Sequence, residues 1–327
     1  MNALIPIAHS EFFKVCLRVF EDARVPLHRF YRSKKMYNNF VHVFLLVFKQ
    51  RLKLSYRRLE QIASEMYLQR MLGIKRIPHF TTIQKALQRL TKSLLERLVK
   101  ACHSLLGLKG MFSAIDGTGF SNTNPSHYYI KRIDGVKVKN FTKTVLLADL
   151  NTKLVLNVKS TSNYRSETLF FIPVVSELKH ALSCVIADKG NDSQKNRQYC
   201  WNNGLEVHIP VRMHKSEQLL YGRKPAYRSA HRRKASKLFD SEKYKRRALV
   251  ESVISAVKRP FGAWVSSRKP VNQQKEATIK ILTYNLEIMG RKIKAWVFIF
   301  ANTFLQSPAF RKVFKYHETI MIVHEQS

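Results

Sequence analysis

Acidic side chains are scarce in this chain: 22 Asp+Glu stand against 58 Lys+Arg in 327 residues, a formal net charge of +36. The excess runs through nearly every segment instead of one tail and predicts a polyanionic partner, because each phosphate met by a cation releases a condensed counterion. Ribosomal proteins, membrane-surface proteins and nucleic-acid enzymes share this balance, so it names a partner class and no reaction. Cysteine is sparse too. Cys16, Cys102, Cys184 and Cys200 form no Cys-x-x-Cys pair and hold no zinc-type spacing to histidine, so they read as reduced, mostly buried thiols of a cytoplasmic protein. His127, His208, His214 and His231 share no ligand spacing and read as surface or core histidines. The apolar runs Phe40 to Phe48 and Ala295 to Ala301 fall short of the ~18 residues a membrane span needs. A charged region followed by a cleavable apolar stretch is missing at the amino terminus, so no signal peptide is expected. There is no internal repeat or low-complexity tract. What is present is 45% hydrophobic residues, enough for one large or two modest packed domains.

Residues 1 to 110 carry helical apolar spacing in Phe40 to Phe48, Tyr56 to Leu72 and Thr81 to Leu106, with breaks at Gly73 and Pro78. Ser55 to Leu72, a glycine-containing connection and Thr82 to Leu90 fit a DNA-binding helix-turn-helix, or equally a helical packing domain that touches no base. From Met111 the texture turns to strands at Phe112 to Asp116, Phe141 to Asp149 and Leu154 to Lys159, with Asn151-Thr152 as a turn. Glu167 to Leu182 reads as a helix, Cys184 to Ala187 as a buried strand, Asp192 to Asn203 as a helix and Leu205 to Val211 as a strand. Residues 212 to 243 read as a basic loop whose charge suits a phosphate track. Ser241 to Lys258 follows as one helix closed by Pro260, then Ala277 to Phe300 as another. This is the ribonuclease-H-like order. The expected fold is an α/β mixed sheet with flanking helices after an all-helical start. Its expected parts are a helical DNA-binding domain (1–110), a catalytic sheet domain (111–267) and C-terminal helices (268–327) that serve a dimer or DNA contact.

Three carboxylates stand where such a sheet places chemistry. Asp116 ends the first strand in Ser113-Ala-Ile-Asp-Gly-Thr-Gly119, where two glycines permit close approach to a ligand. An ordinary Asp-Gly turn is the alternative. Asp188 closes the fourth strand in Val185-Ile-Ala-Asp-Lys-Gly-Asn-Asp-Ser193. Glu251 shares a pattern with Tyr244, Arg247 and Lys258; on one continuous helix these offsets put all four side chains within about 60° of one another. Beside them Leu249, Val250, Val253, Ile254 and Val257 form a docking face. With 13 tyrosines, 58 basic residues and 15 glutamates in the chain, chance supplies roughly 0.02 such patterns, so the motif counts as a signal. Three carboxylates on rigid elements can hold two Mg²⁺ or Mn²⁺ ions about 3.5–4 Å apart, the arrangement that serves both the attacking and the leaving oxygen of a phosphodiester. Trp201 and Trp264 read first as core, with stacking on an unpaired base as the alternative. The Trp296 to Phe300 stripe reads as helix core or a dimer contact.

At these residues the chain resembles the DDE transposases of prokaryotic insertion sequences, in the group marked by a Tyr-Arg-Glu-Lys signature around the last acidic residue. The resemblance covers residues 111 to 267. Ala187 to Ser193 is similar to the group's second-Asp segment, with Asn191 where tyrosine is frequent, and Ile77-Pro-His-Phe-Thr-Thr82 is similar to its lead-in. The resemblance implies that Asp116, Asp188 and Glu251 hold the metals, that Tyr244 and Arg247 contact phosphates at the element's ends, and that Lys258 grips DNA near the cut. It implies binding of terminal inverted repeats, strand cleavage and transfer into target DNA, and a homodimer acting at the prokaryotic nucleoid. Only 62 residues separate Asp188 from Glu251 (251 − 188 − 1), too few for the β insertion found there in well-studied members. Another ribonuclease-H-like endonuclease and an inactive basic DNA-binding protein are the competing readings.

Overall fold

The computed structural model describes residues 7–28, 36–122, 141–162, 165–212, 227 and 229–305, the side chains of 294–305 excepted. Phe40 to Phe48 is apolar on every side, and a helix of that kind must be enclosed. It is: α2 (Asn39–Arg51), capped by the Asn38 side chain accepting the Val41 N–H at 2.8 Å, is buried from Phe40 to Gln50. Around it pack α1 (His9–Asp22), α3 (Tyr56–Glu65) and α5 (Phe80–Arg89). Phe44 meets Phe13 edge-on at 5.3 Å and stacks on Phe48 at 5.6 Å, so three turns of helix are locked by rings. Between α3 and α5, the short α4 (Leu68–Leu72) ends on Gly73 at φ 63°, a left-handed cap that glycine adopts without strain. Next, α6 (Lys92–Ser104) leads into the sheet.

The sheet order is β3-β2-β1-β4-β5. β1 (Met111–Ser121), β2 (Phe141–Asp149) and β3 (Val155–Thr161) form an antiparallel meander, while β4 (Leu182–Ala187) and β5 (Glu206–His208) run parallel to β1. This is the ribonuclease-H-like topology. The connecting helices are α7 (Thr168–Ser176) and α8 (Gln194–Asn202). After β5 come α9 (Ala230–Lys237), α10 (Ser241–Lys245), α11 (Ala248–Phe261) and α12 (Pro270–Leu305). α12 packs against α6, α2 and β3, and one apolar core runs through helices and sheet alike. Its Asn285 amide accepts the Val155 N–H at 3.0 Å and donates to the Val155 carbonyl at 2.7 Å, covering the start of the β3 edge. Among the described residues no helix is long and apolar enough to cross a membrane.

Several elements differ from the sequence expectation. β1 does not stop at Asp116: Gly117 and Gly119 stay in register with Val145 and Lys143 of β2, so Asp116 sits inside the strand. The expected helix Ser241 to Lys258 is two helices. Arg246 lies over the Phe112 ring at 4.3 Å and donates to Asn151 at 2.7 Å, and the junction tightens into three-residue turns such as Arg247 N–H to the Tyr244 carbonyl. Pro260 lies inside the last turn of α11, which ends at Gly262 (φ 83°) instead of at the proline. α12 begins at Pro270, where a first-turn proline gives up no hydrogen bond. Part of the basic loop folds as α9, the expected helix from Glu167 ends at Ser176, and β5 is three residues long. His127 and His214 lie outside the described residues, as do the side chains of the Trp296 to Phe300 stripe.

α12 also buries charge. Lys280 is 3% exposed, and burial pulls its pKa from an ordinary 10.5 to about 8; Glu276 opposes the shift while Lys49 and Lys53 add to it. Between those two values the unfolded chain holds more protons than the folded one at this site, so its contribution to stability rises with pH from about 8 to 10.5. Lys280→Met is therefore expected to flatten that rise and to stabilise the protein at pH 7 by at most about 3 kcal/mol. Urea denaturation at the two ends of the window checks this, and an unchanged pH slope would contradict it.

Candidate active site

The first two carboxylates converge because of strand register. Ile115 of β1 pairs with Ala187 of the parallel β4, so Asp116 and Asp188 are each one residue past the last registered pair on strands about 4.8 Å apart. Each is held locally. Asp116 Oδ1 accepts the Gly117 N–H at 2.9 Å, and Asp188 Oδ1 accepts the Asn191 amide at 2.7 Å. Gly190 makes room for the second: a Cβ there would stand 3.0 Å from both Asp188 carboxylate oxygens. Asn191, fully buried, thus acts as a brace for Asp188.

Glu251 comes from α11, whose buried face of Val250, Val253, Val257 and Phe261 docks the helix against β1. Arg247, at the helix start, ties the third carboxylate to the first. Its Nη2 donates to Glu251 at 2.6 Å and its Nη1 lies 3.9 Å from Asp116 Oδ2. Lys258 sits over the Phe120 ring at 5.5 Å, and burial lowers its pKa. The helix break removes Tyr244 from this face, and its ring packs against Phe239 at 5.3 Å. Asp116 and Asp188 thus stand side by side on β1 and β4, Arg247 links Asp116 to Glu251, Lys258 lies farther along α11 over the ring of Phe120 on β1, and Tyr244 belongs to a neighbouring cluster.

A fourth carboxylate was not anticipated. Glu167, at the start of α7, lies so close over Gly117 that a Cβ there would be 2.2 Å from its Oε1. It is held by Lys143 of β2 at 3.0 Å. The paired glycines of the Asp116 motif were the one sequence signal for such an approach. Burial raises the Asp116 carboxyl to about 6, with Glu167 and Asp188 adding to the rise and the Gly117 N–H and Arg247 opposing it. Carboxylates with hard oxygen donors set beside Asp116 and raising its pKa fit a divalent cation that would relieve that repulsion.

Strand alternation also gathers Cys184, Glu206 and His208, with possible ligand atoms within 4.8 Å of one another. Here protein partners already engage the groups. Glu206 accepts from Lys243 at 2.6 Å and pairs with His208 Nε2 at 2.9 Å, while the Asp240 N–H donates to His208 Nδ1 at 3.1 Å. Burial pushes the Cys184 thiol up to about 12.

A ribonuclease-H-like sheet with acidic side chains gathered where β1 and β4 run side by side defines a class of enzymes that act on phosphodiesters. The chain belongs to one family within it: the transposase DDE domain model matches residues 108–286, more than half its length. Enzymes of this family act in transposition and generally use divalent metal ions. Among solved structures, the piggyBac transposase synaptic complex with hairpin DNA is 10% identical, with a TM-score of 0.46 over 86% of this chain and 72% of that one. No curated protein matches the sequence.

Proposed function

We propose that the chain is an insertion-sequence transposase of the Tyr-Arg-Glu-Lys group, which binds terminal inverted repeats, cleaves the DNA strands and joins the freed 3′-hydroxyls to a target. The observation that carries this reading is the placement of Asp116 and Asp188 side by side on β1 and β4, with Arg247 paired to Glu251 at 2.6 Å and 3.9 Å from Asp116. These three carboxylates would hold two Mg²⁺ or Mn²⁺ ions. When bound, such a pair stabilises the charge on the attacking and leaving oxygens of an in-line displacement. Arg247 suits a bidentate grip on a phosphate, and Lys258 offers a point charge to the strand beside the cut. Tyr244 would contact the transferred end from α10. In this reading residues 1–110 recognise DNA, 111–267 cut it, and 268–327 contribute a dimer or DNA contact. The protein would work as a homodimer spanning two ends, at the nucleoid of a prokaryotic cytoplasm.

The test supplies purified protein and Mg²⁺ with duplexes carrying the inverted repeats that flank the gene, plus a supercoiled target. Joined end–target product is expected. Cleavage without joining would mark an endonuclease of the same fold, and binding alone an inactive DNA-binding protein; either result overturns the proposal.

A further inference from the structure

A cleft of about 800 Å³ opens between the turn joining α2 to α3, α5, and the segment joining α11 to α12. Lys49, Lys53, Arg268 and Lys269 line it together with Trp264, and among the described residues no carboxylate does. The buried Glu276 lies close enough to interact with Lys49 and Lys280, yet its oxygens already accept the N–H groups and hydroxyls of Ser266 and Ser267 at 2.8–3.1 Å. Lys49 and Lys280 thus share one occupied carboxylate, and Lys53 stands close enough to Lys280 to add a further positive charge. Like charges gathered in this way repel, and an anionic ligand would relieve them. Lys53 adds a conformational cost, since it stands at φ 54°, in the left-handed region where glycine sits without strain.

Trp264 departs from the core role expected of it. It is 44% exposed, on a backbone clamped to the end of β1: the Ser121 N–H donates to the Ala263 carbonyl at 3.0 Å and the Val265 N–H to the Ser121 carbonyl at 2.8 Å. An exposed ring on a fixed backbone is a stacking platform. Ser121 is five residues beyond Asp116 along β1, about 17 Å at ~3.4 Å per residue, which is roughly five base-pair steps of a B-form duplex measured along its axis. A pocket of this size encloses a molecule on the scale of a nucleotide and is far too small for a duplex.

We propose that this cleft binds an unpaired DNA strand, with phosphates on Lys53, Arg268 and Lys269 and a base stacked on Trp264. The proposal rests on the transposase reading for its substrate and goes beyond it in assigning a strand-binding site apart from the three carboxylates. The test uses the full-length protein in EDTA, where no cleavage intervenes, and reads the fluorescence anisotropy of labelled oligo(dT) and of a blunt duplex of equal length across a salt series. Trp264→Ala is expected to weaken oligo(dT) binding roughly 5- to 140-fold and duplex binding far less. Trp264→Phe, which keeps a ring, should retain most of the affinity. Lys53→Met combined with Lys269→Met should reduce the slope of log K against log salt by about 1.4 for the single strand. Unchanged oligo(dT) affinity in Trp264→Ala, or equal losses on both probes, overturns the cleft and leaves the cleavage assay to judge the transposase reading. Failure of the unaltered protein to bind either probe overturns the cleft together with the DNA substrate it presumes.

Discussion

Asp116→Asn, Asp188→Asn and Glu251→Gln are each expected to abolish Mg²⁺-dependent strand cleavage while leaving DNA affinity within about twofold. The expectation follows from a division of labour. Cleavage would draw several kcal/mol of transition-state stabilisation from ions held by these carboxylates, which is roughly 10³-fold or more in rate. Binding rests instead on a chain with 58 basic residues, none of which these changes remove. Loss of folding would not explain the result at Asp116: burial penalises its charged form, so a neutral isostere there should fold at least as well. Gel assays of a nicked-end product alongside anisotropy of the same duplex separate the two effects. Cleavage that survives in one variant removes that residue from the ion-binding set, and cleavage that survives in all three sinks the mechanism.

Asp192→Ala is expected to destabilise the protein by about 3–5 kcal/mol, because it strands a buried guanidinium. Arg197 is 2% exposed, and it donates to Asp192 Oδ1 at 2.8 and 3.2 Å and to the Ile209 carbonyl at 2.8 Å. The other Asp192 oxygen accepts the Arg212 N–H at 2.7 Å. The pair thereby fastens the loop after Asp188 to the chain beyond β5. Adding Arg197→Met to Asp192→Ala should recover much of the loss, since it removes the unpaired charge as well, and a double-mutant cycle in urea measures the coupling. A single-variant loss below about 1 kcal/mol would contradict the burial assigned to this pair. The same variant should reduce cleavage even where it still folds, because Asp188 is carried by the loop it loosens.

Strong local patterns were legible in the sequence. The apolar run of α2, the strand texture of β2 and the pattern around Glu251 each announced themselves through spacing alone, since burial demands a repeat in phase with helix or strand. The Asp116 and Asp188 positions followed from the same logic. Where two local preferences competed, sequence reading placed the boundary wrongly. Asp-Gly is a turn signal, yet nine residues of cross-strand pairing from Ser113 to Ser121 outweigh it. The helix break at residues 246–247 depends on Phe112 and Asn151, which lie more than ninety positions away.

The sequence by itself determined that the protein is cationic, that it alternates strands with helices in the ribonuclease-H-like order, and which three carboxylates to examine, because charge and periodicity are properties of local composition. Only the tertiary structure decided that Arg247 and not Tyr244 stands between Asp116 and Glu251, that Glu167 fills the space left by Gly117, and that Lys49, Lys53 and Trp264 face a common cleft. Those groups are brought together by strand register and by helices packed across long separations, and no spacing along a single element encodes such distances.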